Sequence, residues 1–279
     1  MRRTMAFYGK GGVGKSTVVS NLTATFATMD KKILQVGCDP KRDSSRNLIS
    51  VFPPTTLMEL LSAGKKNLEK SDLIMDGGEG VSCIEAGGPK PGVGCAGRGL
   101  GRLFEELEEM EIFEDPYDYI FYDVLGDVVC GGFAVPMRSG YAEEIYIVTS
   151  GEFMSLYAAN NIARGIQNYA EQGEVRMGGL IANVKDLEFD KVLIEAFAKR
   201  IGTRVVHYLE WNKVVYEAER RRKPVIRYAP NDDYVDGYRR LADAIEKNTD
   251  LHIPVPMDDS ELDVFLEELF GFDKDSLAV

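Results

Sequence analysis

No apolar stretch in this 279-residue sequence approaches the ~20 residues that a membrane-spanning helix requires. The opening residues, Met1-Arg2-Arg3-Thr4, run straight into a short apolar strand and a glycine loop. They lack the apolar core and small-residue cleavage site of a secretory leader. Together these absences predict a cytoplasmic protein with no membrane partner. A basic excess is missing too: the formal net charge is −12, whereas binding nucleic acid takes a concentrated cationic face. The one basic run, Arg220-Arg221-Arg222-Lys223, reads as a solvated helix end, where cations complement the dipole. Cysteine is scarce, four residues in all, and no two are spaced as Cys-x-x-Cys. In a cytoplasmic chain these four are not a disulfide framework. They are buried small residues, redox thiols or metal ligands, and spacing alone assigns no metal site. Repeats, low-complexity tracts and Pro/Ser-rich linkers are also absent.

What remains is an ordinary globular composition, 44% hydrophobic and 28% charged. Short β-branched or apolar runs alternate with helical patterns, which predicts an α/β fold with a mostly parallel sheet flanked by helices. The strands fall at Met5–Tyr8, Ile33–Val36, Val81–Glu85, Tyr119–Asp123, Ile145–Thr149, Leu180–Asn183 and Val205–Leu209. Helices follow from Lys15, Arg98, Phe153, Asp190, Lys213 and Asp232. Apolar residues at Leu262, Phe265, Leu266 and Leu269 mark one face of a further helix, whose opposite face is acidic. We therefore expect one domain over 1–256 and an acidic amphipathic tail over 257–279 that packs on the domain or on a dimer. Two segments, Gly87–Gly101 and Gly126–Gly132, are rich in glycine; long glycine loops inside a compact domain are usually functional.

The most informative motif follows the first strand. Gly9-Lys10-Gly11-Gly12-Val13-Gly14-Lys15-Ser16-Thr17 contains the P-loop pattern G-x-x-x-x-G-K-[ST]. Its glycines let backbone N–H groups turn around phosphate oxygens at a helix N-terminus. Lys15 reaches the terminal phosphates, and the Ser16 hydroxyl is a Mg²⁺ ligand. Two further strands lead into Cys38-Asp39-Pro40-Lys41-Arg42-Asp43 and Asp123-Val124-Leu125-Gly126-Asp127. Carboxylates at the C-terminal ends of parallel strands face the crevice where α/β proteins bind ligands. Lys10 adds a second lysine early in the loop, which resembles the deviant Walker A class of partition, septum-positioning and nitrogenase iron-protein ATPases. In that class this lysine reaches the nucleotide of the partner subunit, so the resemblance implies a homodimer.

Cys95 and Cys130 each lie in a glycine-rich loop before an expected helix, whose N-terminus favours thiolates and cluster charge. Cys38 and Cys83 lie in or at the end of strands and read as buried small residues. Four segments resemble the nitrogenase iron protein family most specifically: Tyr8–Gly12, Gly37–Lys41, Pro91–Gly99 and Tyr122–Phe133, with Tyr157–Ile162 a further match. The resemblance runs from Met5 to about Pro256. It implies that Cys95 and Cys130 of two subunits hold one 4Fe-4S cluster, and that MgATP is the second cofactor. It further implies that Asp39 helps activate water, that Asp43 and Asp123 act around Mg²⁺, and that Lys41 belongs to a first switch. Gly126 and Asp127 would belong to a second switch. Arg98 matches the partner-docking arginine, and Asn183 the residue that binds adenine.

The implied activity is ATP-driven transfer of single electrons to a nitrogenase-like heterotetrameric component, with ferredoxin or flavodoxin as donor. That component would reduce dinitrogen or a tetrapyrrole such as a nickel-cofactor or chlorophyll precursor. A positioning ATPase and a cluster-carrying metal-insertion ATPase are the alternatives. The simpler positioning ATPases lack both cysteine segments. The sequence departs from the family at Leu209-Glu210-Trp211-Asn212, on the adenine side, where a Pro-Arg-Asp sequence is usual. Lys65–Gly80 and the acidic tail are also atypical.

Overall fold

The computed structural model of the protein describes residues 2–88, 96–126, 134–171, 173 and 175–271, leaving out the side chains at 96 and 98. One sheet holds eight strands: β1 (Arg3–Tyr8), β2 (Ile33–Gly37), β3 (Met75–Gly78), β4 (Val81–Glu85), β5 (Tyr119–Asp123), β6 (Glu144–Thr149), β7 (Arg176–Val184) and β8 (Val205–Glu210). Their order across the sheet is β3-β4-β2-β5-β1-β6-β7-β8. All neighbours run parallel except β3 and β4. The helices begin with α1 (Lys15–Ala27), α2 (Leu57–Ser62), α3 (Lys70–Leu73), α4 (Ala96–Glu109), α5 (Val135–Arg138) and α6 (Phe153–Ala170). They continue with α7 (Leu187–Arg200), α8 (Lys213–Arg220), α9 (Val225–Tyr228), α10 (Val235–Glu246) and α11 (Asp259–Phe270). None of the described helices is long and apolar enough to cross a membrane.

The central strands are buried on both faces, as parallel strands between two helical layers must be. In β1, Ala6 and Tyr8 face a core shared with α4, α6, α7 and α11. Met5 and Phe7 face the opposite core, built largely on α1 and α10. This alternation lets a continuous apolar run, Met5-Ala6-Phe7-Tyr8, serve both layers.

All seven expected strands are present. The eighth, β3, is an edge strand whose sequence, Met75-Asp76-Gly77-Gly78, carries little β propensity. It forms through a hairpin turn at Glu79 and Gly80, both at positive φ, 54° and 84°. Strand β7 starts earlier than expected because Gly178 is part of it: a Cβ there would lie 2.4 Å from the Tyr146 ring. Three helix starts also differ. Helix α4 begins at Ala96 rather than Arg98, α7 at Leu187 rather than Asp190, and α10 at Val235 rather than Asp232. For α7 the cause is the Asp186 side chain, which accepts the Phe189 N–H at 3.2 Å and caps the helix three residues earlier.

Helix α11 buries Leu262 and Leu266 in the core that α6 also lines. The connection into it is fixed by Asn160 on α6. Its amide donates to Met257 O at 2.9 Å and accepts from Met257 N at 2.9 Å, with Asn160 fully buried. Asn160→Ala should therefore lower stability by about 1–3 kcal/mol, since the Met257 N–H loses its partner while Met257 O keeps only its bonds from Arg164. Urea denaturation measures this, and nucleotide affinity should stay at the wild-type value.

Candidate nucleotide and magnesium site

Strand order puts β2, β5 and β1 side by side, with Asp123 registered against Gly37 on one side and Phe7 on the other. The residues that follow these strands, Asp39 and Gly9, therefore share one edge with Asp123. This is the crevice position expected for an α/β ligand site.

The P-loop is shaped by close backbone approach. Gly12 and Gly14 adopt φ of 83° and 88°, and Gly14 is the N-cap of α1. A Cβ on Gly9 would lie 2.3 Å from Val148 O, and one on Gly126 would lie 2.4 Å from Gly9 O. The chain leaving β5 thus passes directly against the P-loop. Lys15, the first residue of α1, is buried and forms an ion pair with Asp123 Oδ1. Its Nζ also lies 3.4 Å from Ser16 Oγ.

The acids around this lysine have unmet bonding capacity. Among the described residues, four buried side-chain oxygens lack a hydrogen-bond partner. Three are carboxylate oxygens at this edge: Asp123 Oδ2, Asp43 Oδ1 and Glu85 Oε2. Buried carboxylates are ordinarily satisfied, so the open oxygens of Asp123 and Asp43 mark a place for a cation or its water, while Glu85 Oε2 is packed against Gly37. Asp43 also shares a cavity of about 290 Å³ with Ser16 and Thr17. Burial, then the charges of Asp39 and Asp123, holds the Asp43 carboxyl above its usual range. No group of three or more His, Cys, Asp or Glu among the described residues is arranged as a protein-only metal cage. Magnesium in a nucleotide site does not use one, because it takes few protein ligands beside phosphates and water. The residues present therefore fit Mg²⁺ carried with a nucleotide.

Asp39 is buried; its Oδ1 accepts the Lys41 N–H at 2.9 Å and its Oδ2 lies 3.5 Å from Lys41 Nζ. A second cavity, about 470 Å³, is lined by Lys10, Gly11, Gly12, Val13, Gly14 and Thr17 from the P-loop. Asn183, Lys185, Trp211 and Tyr216 are among the residues on its other walls. Asn183 Nδ2 donates to Val13 O at 2.7 Å, which ties the far wall to the loop. Thr17 Oγ1 donates to Glu219. The atypical segment at the end of β8 puts Leu209 in the core, Trp211 on the cavity wall at 65% exposure, and Asn212 at the start of α8 as its cap.

Glu85 was not anticipated. It closes β4, fully buried, and its Oε1 accepts the Ser45 N–H at 2.7 Å and the Ser45 hydroxyl at 2.6 Å. The sign was available: Val81–Glu85 ends in an acid, as Tyr119–Asp123 does. The described cysteines, Cys38 and Cys83, are buried, and burial pushes both thiols up. Cys83 lies within β4 and Cys38 directly follows β2, in or at the end of strands as expected. Cys95, Cys130 and Asp127 lie outside the described residues, as does the Arg98 side chain.

The sequence model of one family, 4Fe-4S iron sulfur cluster binding proteins of the NifH/frxC family, matches residues 3–271. The chain belongs to this family. Solved structures show the same fold in more distant proteins. The septum site-determining protein MinD of Pyrococcus horikoshii OT3, complexed with Mg-ADP, is 21% identical with a TM-score of 0.66, covering 88% of this chain and 97% of that one. Cobyrinic acid a,c-diamide synthase of Mycobacterium smegmatis with ADP and magnesium is 18% identical, TM-score 0.64, covering 88% and 95%. The MinD cell division protein of Aquifex aeolicus is 17% identical, TM-score 0.66, covering 88% and 98%. At these identities the likeness concerns the fold. The NifH/frxC match distinguishes this chain from them.

Two outcomes follow for this NifH/frxC chain. Lys15→Ala should weaken MgATP binding at least about 100-fold, roughly 3 kcal/mol. It should also destabilise the nucleotide-free protein, because Asp123 is left buried without its cation; calorimetric titration and thermal melts check the two effects. The second concerns Glu85, whose carboxyl burial pushes from 4.5 up to about 8. The unfolded chain ionises first, so this group costs stability progressively as pH rises from about 4.5 to about 8. Glu85→Gln should therefore gain on the wild type in urea midpoint across that window, with no gain below it.

Proposed function

We propose that the protein is the ATP-dependent reductase component of a nitrogenase-like system. As a homodimer it delivers single electrons to a heterotetrameric catalytic partner while hydrolysing MgATP. Membership of the NifH/frxC family supports this reading. The geometric observation that carries it is the contact of Gly126 with Gly9. The chain that reaches Cys130 four residues later leaves β5 directly over the phosphate loop. A change at the phosphates is thus felt first by the segment that leads to a cluster cysteine.

In this reading Lys15 and the P-loop amides hold the phosphates, and Lys10 reaches the nucleotide of the partner subunit. Ser16, Asp43 and Asp123 serve the Mg²⁺ side, while Asp39, oriented by Lys41, positions the attacking water. Asp127 belongs to the second switch and senses the terminal phosphate. Gly9, Gly11, Gly12, Val13, Gly14 and Thr17 shape the cradle. Asn183 borders the base, and Trp211 and Tyr216 offer it flat aromatic faces. Cys95 and Cys130 from each of two chains would supply the four thiolates of one 4Fe-4S cluster, whose chemistry is one-electron transfer. Arg98 docks the catalytic partner, and a ferredoxin or flavodoxin restores the electron. Whether dinitrogen or a tetrapyrrole is reduced is set in the catalytic partner.

Anaerobic purification followed by iron analysis and EPR of the reduced protein tests this. One four-iron cluster per dimer is expected. Cys95→Ala and Cys130→Ala should each abolish the signal, while Cys38→Ala and Cys83→Ala retain it. A cluster that survives loss of Cys95 would refute the assignment.

A further inference from the structure

The segment carrying Asp39 and Asp43 is anchored from behind by two buried polar side chains that no step above uses. Gln35, in the middle of β2, donates from Nε2 to Ser44 O at 2.9 Å and to Ser44 Oγ at 2.8 Å. Its own Oε1 accepts the Thr23 hydroxyl of α1 at 2.6 Å. Glu85 takes both donors of Ser45 on a single oxygen, as described above. Ser44 and Ser45 are each 1% exposed, so neither residue has water as a substitute partner. They directly follow Asp43, whose unpartnered Oδ1 belongs to the magnesium side.

The other end of the segment is held by shape. A Cβ on Gly37 would sit 2.1 Å from Glu85 Oε2 and 2.7 Å from Ser44 Cβ, so glycine there admits both side chains. Beyond Glu85 the chain turns across the same segment: a Cβ on Gly88 would lie 2.5 Å from Pro40 Cβ. The exit of β4 therefore grips residues 37–45 at both ends, and Glu85 is the polar part of that grip.

We propose that Glu85 is a positioning residue for magnesium: by fixing Ser45 it sets the approach of Asp43 to the cation beside Ser16. This rests on the reading of the site as a MgATP site. A buried hydrogen-bonded pair two residues behind a metal-side carboxylate restricts where that carboxylate points, as outer partners of metal ligands commonly do. Glu85 does not reach the nucleotide; its effect passes through Ser45 and Asp43.

The test is ADP binding by calorimetric titration across a Mg²⁺ series, with bound Mn²⁺ counted by EPR, on the full-length protein. Glu85→Met keeps similar bulk but removes the acceptor. The Mg²⁺ concentration for half-maximal ADP binding should rise about tenfold once both Ser45 hydrogen bonds to Glu85 are lost. ADP affinity without Mg²⁺ should hold within about twofold. Glu85→Gln, which keeps an acceptor oxygen for Ser45, should restore the wild-type requirement. Should Glu85→Met fail to fold, Ser45→Ala decides, with a smaller rise in the same direction. A wild-type Mg²⁺ requirement in the foldable acceptor-loss variant would overturn the proposal. So would equal loss with and without Mg²⁺, or a Gln variant as impaired as Met. A wild-type protein whose ADP binding ignores Mg²⁺ would instead overturn the reading of the site itself.

Discussion

The buried ion pair between Lys15 and Asp123 is the interaction on which the rest of the site depends. A lysine this enclosed needs a counter-charge, and among the described residues the acid paired with it is the last residue of β5. Incoming phosphate offers a stronger partner in the same place. In the proposed function, binding exchanges one counter-ion for another and would free Asp123 for Mg²⁺ or its water. Because Asp123 begins the chain that passes over Gly9, the exchange would act, in the proposed reading, at the root of the second switch.

The sheet supplies the leverage. Strands β2, β5 and β1 are neighbours at the C-terminal edge, and the charged groups lie on their last residues or just beyond. Each loop that leaves this edge toward a cysteine starts within contact of a nucleotide element. After β5 the contact is Gly126 on Gly9; after β4 it is Gly88 on Pro40. Closely packed backbone transmits displacement because interiors are dense and have few alternative arrangements.

Much of this was legible in the sequence. The P-loop announced itself through glycines and Lys15-Ser16 at a fixed offset, and Asp39 and Asp123 through their positions at strand ends. The two buried cysteines were readable from their places in or just after strands, and the basic run 220–223 as an exposed helix end, with Arg221 over the Tyr228 ring and Arg222 over Phe52. Other features depend on long-range contacts that a linear reading does not see. Strand β3 exists because β4 offers it an edge, despite its glycines. Asn160 looks like a family motif residue but acts as the clasp for Met257, 97 residues away. Glu85 closes its strand as Asp123 does, but no phosphate motif beside it in the sequence marks it as part of the site. Only the fold shows that Ser45 comes to meet it. Asn183 was expected at the base, and in the fold its amide is a strut for Val13.

The central claim is that nucleotide at Lys15 and Asp123 alters the surroundings of a cluster held by Cys95 and Cys130. The most direct measurement is the cluster midpoint potential in the purified dimer without nucleotide, with MgADP and with MgATP. The account predicts three distinguishable potentials in the wild type and a reduced spread in Asp127→Asn, since hydrogen bonding and solvent exposure are levers on cluster potential. One potential in all three states would contradict it and leave the nucleotide site and the cluster uncoupled.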